Sequence, residues 1–146
     1  MKYVFLDVDG VLNSEQDRFS IDLETDEHLH HLKNIIDATG AKIILSSSWR
    51  MGLRDGRNQV LVKRLTEFGL SIEDMTPVLG EYWGRGQEIR EWLLSHDYDR
   101  DADKFVILDD EAFDIKELYG RQLVQTNSQY GLTLRDAQRC IEKLNN

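Results

Sequence analysis

Lys2-Tyr3-Val4-Phe5-Leu6-Asp7-Val8-Asp9-Gly10 is the stretch on which the reading of this sequence turns. Residues 2–7 are dense in apolar, β-branched and aromatic side chains and do not alternate cleanly with polar ones. That pattern fits a strand covered on both faces, as in a parallel sheet. The run halts at two carboxylates flanking Val8, and if the chain stays extended their side chains share a face. Carboxylates this close repel one another, and a hard divalent cation with oxygen ligands is the simplest compensation. Only one of the pair needs to hold the metal, leaving the other to move protons. Gly10 then permits a backbone turn, or a close approach, that a larger residue obstructs.

Further along, Lys42-Ile43-Ile44-Leu45 gives a second strand that stops at Ser46-Ser47-Ser48-Trp49-Arg50, and Phe105-Val106-Ile107-Leu108 another that stops at Asp109-Asp110. Pro77-Val78-Leu79 is either a short third strand or an extended connection, and a last strand is expected at 121–125. Helical stripes separate these runs. Leu29, Leu32, Ile35 and Ile36 follow a cap at Thr25 and end at Gly40, and Leu61, Leu65 and Phe68 end at Gly69 after a polar loop over 51–58. A helix from about Gln87 to Ser95 buries Ile89, Trp92 and Leu93 with Glu88, Arg90 and Glu91 facing water. A short helix is expected near 111–118, and a final one begins near Thr133, with Asp136 completing a weak capping box. Strands separated by helices imply an α/β fold in three layers, with a central parallel sheet in the Rossmann-like manner.

The 146 residues are 40% apolar, enough for one sizeable core, so residues 1–146 are expected to form a single domain. With 18 basic against 27 acidic residues, net charge −9, nothing draws the chain generally to nucleic acid or anionic membranes. The single cysteine, Cys140, excludes an internal disulfide framework and reads as a partly buried filler. There is no leader with a cleavage site and no apolar run near the ~18 residues of a membrane span, which gives the expectation of a soluble, cytoplasmic protein with no membrane partner. No obligate protein partner is evident.

Ligands of an open parallel sheet bind beyond the carboxyl ends of its strands. Three strands here end in polar clusters at that edge: Asp7/Asp9, Ser46 to Arg50, and Asp109/Asp110. Asp109, directly ending its apolar run, is the second candidate metal ligand. Asp110 is a ligand through water, an orienting group, or the N-cap of the following helix.

This pattern resembles the haloacid dehalogenase-like (HAD) superfamily of aspartyl-phosphate hydrolases, whose motifs are an Asp-x-Asp-Gly after the first strand, a Ser or Thr after the second, a downstream Lys or Arg, and a late acidic pair. The chain supplies Asp7-Val8-Asp9-Gly10, Ser46, Arg85 and Asp109-Asp110. The combination of Leu45-Ser46-Ser47-Ser48-Trp49-Arg50, Arg85-Gly86-x-Glu88-Ile89-x-x-Trp92-Leu93 and Ile107-Leu108-Asp109-Asp110 is similar to a narrower branch. These are small HAD-like domains sometimes fused to RNA-repair enzymes and related in outline to polynucleotide 3'-phosphatases.

The resemblance implies that Asp7 attacks phosphorus while Mg²⁺ is held by Asp7, the Val8 carbonyl and Asp109, with Asp110 beside them. It implies that Asp9 acts as acid and then base, and that Ser46 and Arg85 hold the phosphoryl oxygens. Arg85 stands where a lysine is more common, and its planar fork permits bidentate contact. Gly10, Ser47, Trp49, Arg50 and Thr126 are the candidate substrate-binding positions. Arg50 either meets a second phosphate or holds its loop against Asp110, and Trp49, like Tyr82 and Trp83, is expected to pack more readily than to stack on substrate. His28, His30 and His31 read as surface residues.

Neither the segment after Asp9 nor residues 70–85 has room for a folded cap, so an open site is expected. Such sites in this superfamily tend to accept large partners, here a phosphorylated nucleic-acid end or nucleotide. A small-metabolite phosphatase and a non-catalytic metal- or phosphate-binding domain are the alternatives. A phosphonatase lacks its Schiff-base lysine in a cap, and a receiver domain would have no use for Asp9.

Overall fold

A computed structural model describes residues 1–52 and 56–146; residues 53–55 of the expected 51–58 loop lie outside the described residues. Five strands, β1 (Lys2–Leu6), β2 (Lys42–Leu45), β3 (Ile72–Met75), β4 (Lys104–Asp109) and β5 (Leu123–Gln125), form one parallel sheet in the order β3-β2-β1-β4-β5. The strand after the second helix is therefore at 72–75, and Pro77-Val78-Leu79 is the extended connection. Ile72-Glu73-Asp74-Met75 was hard to see as a strand because an edge strand, with alternate residues exposed, does not need an apolar run.

Side chains alternate across the sheet. Val4, Leu6, Ile43, Leu45, Val106, Leu108 and Val124 point to one face, where they pack against helices α1 (Asp26–Thr39), α2 (Arg57–Glu67) and α5 (Leu134–Asn145). Phe5, Ile44, Phe105, Ile107 and Leu123 point to the other, against α3 (Arg85–Ser95) and α4 (Ile115–Tyr119). Residues that lie next to each other in β1 thus belong to different cores, which is why the strand shows no alternation. Trp92 of α3 meets Tyr3 and Phe5 edge-on, at 5.1 and 5.4 Å between ring centres.

The caps follow the sequence in part. Thr133 and Asp136 form a reciprocal capping box on α5. Thr25 stands at the N-cap position of α1, but its hydroxyl donates to Asp17 Oδ2 instead of receiving a helix amide. Cys140 is fully buried, and burial pushes its thiol up to about 12, in keeping with an inert filler.

Two expectations of exposure are corrected. His28 is buried, its Nδ1 2.9 Å from the Leu132 carbonyl, because α1 packs against the loop that leads into α5. Glu88 does not face water: its carboxylate is enclosed with the Arg50 guanidinium at 2.7 Å and accepts the Leu79 amide. Among the described residues there is no cap domain and no helix long and apolar enough to cross a membrane.

Candidate active site

Strand register assembles the site. Leu6 pairs with Leu45 on one side and Leu108 on the other, so the next residues, Asp7, Ser46 and Asp109, stand side by side at the carboxyl edge. The Asp7 amide donates to the Leu108 carbonyl at 2.9 Å and the Ser46 amide to that of Leu6 at 3.0 Å. The chain leaves β1 toward β2 and β3, then crosses back to β4 on its other side. Asp7 and Asp109 therefore flank the point where strand order reverses, the place where an open sheet parts to admit a ligand.

Asp7, Asp109 and Asp110 each bring a carboxylate oxygen to within 4.8 Å of the others, with Asp7 and Asp109 buried. Burial pushes Asp7 up to about 8, with the Asp109 charge and a hydrogen bond with Asp110 adding to the rise and Arg85 opposing it. Burial also raises Asp109, against the pull of Arg85. Among the described residues the one cationic side chain lining this pocket is Arg85, whose Nη1 lies 2.6 Å from Asp109 Oδ2 and 3.2 Å from Asp7 Oδ1. Burial lowers the guanidinium's own affinity for its proton, yet the two aspartates outweigh that and raise it. A single Arg among three carboxylates leaves the cluster short of positive charge, and an all-oxygen donor set suits a small hard cation.

Arg85 reaches the cluster because Asp114 fixes the first turn of α3. Its two oxygens accept the Gly86 amide at 2.7 Å and the Gln87 amide at 3.1 Å, satisfying donors a helix start leaves open. A Cβ at Gly84 would lie 2.4 Å from the same carboxylate, so only glycine lets the two segments approach.

Asp9 is held apart from the cluster by its own partners. Its Oδ1 accepts from Asn13 Nδ2 at 2.9 Å and its Oδ2 from Trp49 Nε1 at 3.1 Å. Asn13 also receives the Gly10 amide and donates to the Ser20 carbonyl, so one buried amide closes the whole turn. Gly10 adopts φ +81°, and a Cβ there would sit 2.4 Å from Asp110 Oδ2. Close approach of the two aspartate loops thus demands glycine.

The pocket, about 130 Å³, is lined by Asp7, Asp9 and Arg85 together with Ser48, Asp110, Glu111 and Phe113. Ser46 is fully buried beside Asp7, and its hydroxyl has no hydrogen-bond partner. The Val8 carbonyl, another of the expected ligands, accepts the amides of Val11 at 3.0 Å and Leu12 at 2.8 Å.

The structure turns the expected substrate-binding side chains inward, and Trp49 packs as expected. Gly10 acts through its backbone conformation, and the Thr126 hydroxyl donates to its carbonyl at 2.7 Å. Ser47 receives the Trp49 amide. Trp49 is fully buried under Asp9, and Arg50 neither meets solvent nor Asp110, its guanidinium being divided among the Ser46 carbonyl, Thr76 and Glu88. Tyr82 and Trp83, expected to pack, are instead exposed, at 91% and 56%. Asn13, Ser48, Glu111, Phe113 and Asp114 were not singled out from the sequence. Asn13, in Asp9-Gly10-Val11-Leu12-Asn13, carries a signal in hindsight, since an amide four residues after a carboxylate is placed to close a turn.

A family model described as the HAD domain in Swiss Army Knife RNA repair proteins matches residues 3–137. No curated protein and no solved structure matches the chain.

Proposed function

Because the chain belongs to the family of HAD domains in Swiss Army Knife RNA repair proteins, a family of phosphatase-type hydrolases that generally use a divalent metal, we propose that it is a Mg²⁺-dependent phosphomonoester hydrolase. The substrate class is a phosphorylated nucleic-acid end or nucleotide, and residues 1–146 act as one domain. The observation that carries this reading is the Asp7, Asp109 and Asp110 cluster, too acidic to be balanced by Arg85 alone.

In this reading the three carboxylates hold the cation. Mg²⁺ supplies positive charge that returns Asp7 to its anionic form and draws electron density from the phosphoryl oxygens. Asp7 attacks phosphorus, forming an acyl phosphate as the ester P–O bond breaks. Asp9, oriented by Trp49 and Asn13, gives its proton to the leaving oxygen. It then takes a proton from the water that cleaves the acyl phosphate, which releases inorganic phosphate and restores Asp7. The Arg85 guanidinium moves from the carboxylates to the phosphoryl oxygens, and the Ser46 hydroxyl, lacking any partner among the described residues, is the further donor.

The test is phosphate release from 3'- and 5'-phosphorylated oligonucleotides, mononucleotides and sugar phosphates, with Mg²⁺ or with EDTA, by the wild type and Asp7→Asn. Release that needs both Mg²⁺ and Asp7, trapped as a phosphorylated protein on rapid acid quench, is the expected result. Equal release by Asp7→Asn would overturn the mechanism.

A further inference from the structure

Beside the pocket of Asp7 lies a second, larger concavity of about 350 Å³, and Arg85 and Phe113 line both. Its other walls include Tyr82 and Trp83. With Phe113, itself 54% exposed, they make three large aromatic side chains at the surface within one groove. Exposed aromatics clustered beside a reactive pocket are uncommon in a chain that buries its other tryptophans, Trp49 and Trp92, at 0% and 4% exposure. Phe113 is also held at φ +43°, a conformation unfavourable for a bulky side chain, with its ring 5.2 Å from the Arg85 guanidinium. The backbone thus accepts strain where it presents an aromatic face at the mouth of the site.

Charge narrows the occupant. Among the described residues Arg85 is the only cation lining the two concavities, and Glu81 and Glu88 stand in the second. The described lining of the two concavities offers a polyanionic strand no basic track, so backbone phosphates beyond the reacting one gain little from it. A flat, uncharged, polarizable ring gains from stacking, and every base has such a face. Arg85 and Phe113 line both concavities, so a ring in the groove would lie next to the pocket that holds the reacting phosphate.

We propose that Tyr82, Trp83 and Phe113 form a stacking platform for the unpaired base of the nucleotide whose phosphate is removed at Asp7. The ligand chemistry is a phosphomonoester on a nucleoside with a free base face, supplied either by a mononucleotide or by a single-stranded end. This rests on the phosphatase reading above for its turnover arm only.

Binding is read from tryptophan fluorescence of the Asp7→Asn protein with Mg²⁺, titrated with adenosine 3'-monophosphate and, separately, with ribose 5-phosphate. Trp83 is the exposed tryptophan, so a stacked base quenches it; the nucleotide is expected to quench, the sugar phosphate not, and Trp83→Leu to remove the quenching. In turnover, Tyr82→Ala/Trp83→Leu is expected to lower the preference for nucleotide over ribose 5-phosphate by about tenfold or more, within the roughly 5- to 100-fold range that loss of a stacked base gives. Both residues are exposed, so folding tolerates the change. Single-stranded 3'-phosphorylated ends against mononucleotides, and against the same ends in blunt duplex, identify the source; a duplex end processed as well as a single-stranded one overturns the platform. So does equal quenching by sugar phosphate, absence of quenching, or an unmoved preference; absence of quenching would leave this face to a protein. If the wild type releases no phosphate from anything, the phosphatase reading fails, while the quenching comparison still decides the platform.

Discussion

Replacing Asp7 with Asn should stabilise the protein in EDTA, and more strongly as pH rises. Asp7 sits at about 8 in the fold against 3.8 ordinarily. Between those values the folded state keeps a proton that the unfolded state has released, so stability falls as pH rises through that window and the loss is complete above about 8. One proton corresponds to about 1.4 kcal/mol per pH unit, a ceiling of about 4 kcal/mol between pH 5 and pH 8. Arg85 and Asp109 readjust around the charge, and we expect about half that ceiling, about 2 kcal/mol, to appear as added stabilisation by Asn between the two pH values. At about 3 °C per kcal/mol for a domain of this size, the difference in Tm between variant and wild type should widen by about 6 °C from pH 5 to pH 8. Thermal melts followed by circular dichroism, both proteins side by side in EDTA, measure it directly, because all other titrating groups are common to the two. Mg²⁺ should then stabilise the wild type at pH 8 by about 2.7 kcal/mol at a hundredfold excess over its Kd, raising its Tm by about 8 °C, and stabilise the variant less. A pH-independent Tm difference, or an Asn variant that is less stable at pH 8, would refute the account of Asp7 as a carboxylate charged against the preference of its surroundings.

Trp49→Phe keeps an aromatic ring beneath the site and deletes the Nε1 donor to Asp9. It should lower kcat by about tenfold or more with little change in KM, and the pH–rate profile should shift, whereas a purely packing role would leave that profile in place. Glu88→Ala strands the Arg50 guanidinium, buried at 7% side-chain exposure, and frees the Leu79 amide. A loss of about 3 kcal/mol on urea unfolding is expected, and a loss under ~1 kcal/mol would mean that the Ser46 carbonyl and Thr76 suffice to hold Arg50.

The strands that carry chemistry were legible because they are buried on both faces. Residues 3–6 and 105–108 are apolar throughout, so the first charged residue after each run marks the carboxyl edge. Asp7 and Asp109 were found that way, and their adjacency followed from the parallel pairing. The edge strand Ile72–Met75 escaped since half its residues meet solvent. Side chains that hold the site were harder still. Glu88 and Arg50 look like surface charges until the fold brings together positions 38 residues apart, and Asp114 caps a helix that begins 29 residues before it. The same blindness applied in reverse to Tyr82 and Trp83: apolar character alone argues for burial, and only the short connection from β3 to α3 decides that they stay outside.

Asp7 and Asp9, two residues apart, illustrate how far local surroundings divide identical side chains. Asp9 receives two neutral donors fixed by the fold, Asn13 and Trp49, which orient its oxygens toward a stable geometry. Asp7 has burial, a second buried aspartate and one shared arginine, an environment that resists its charge. A structural role would not require that arrangement, since an asparagine at position 7 would fold with less conflict. Positive charge entering among Asp7, Asp109 and Asp110 would relieve the conflict, and under the proposed mechanism it is then that Asp7 would act as the nucleophile. Under that proposal, coupling the reactive form of Asp7 to occupancy of the cluster would keep the carboxylate subdued until cation and phosphate are both at hand, a use of folding stability at the carboxyl edge of an otherwise well-packed sheet.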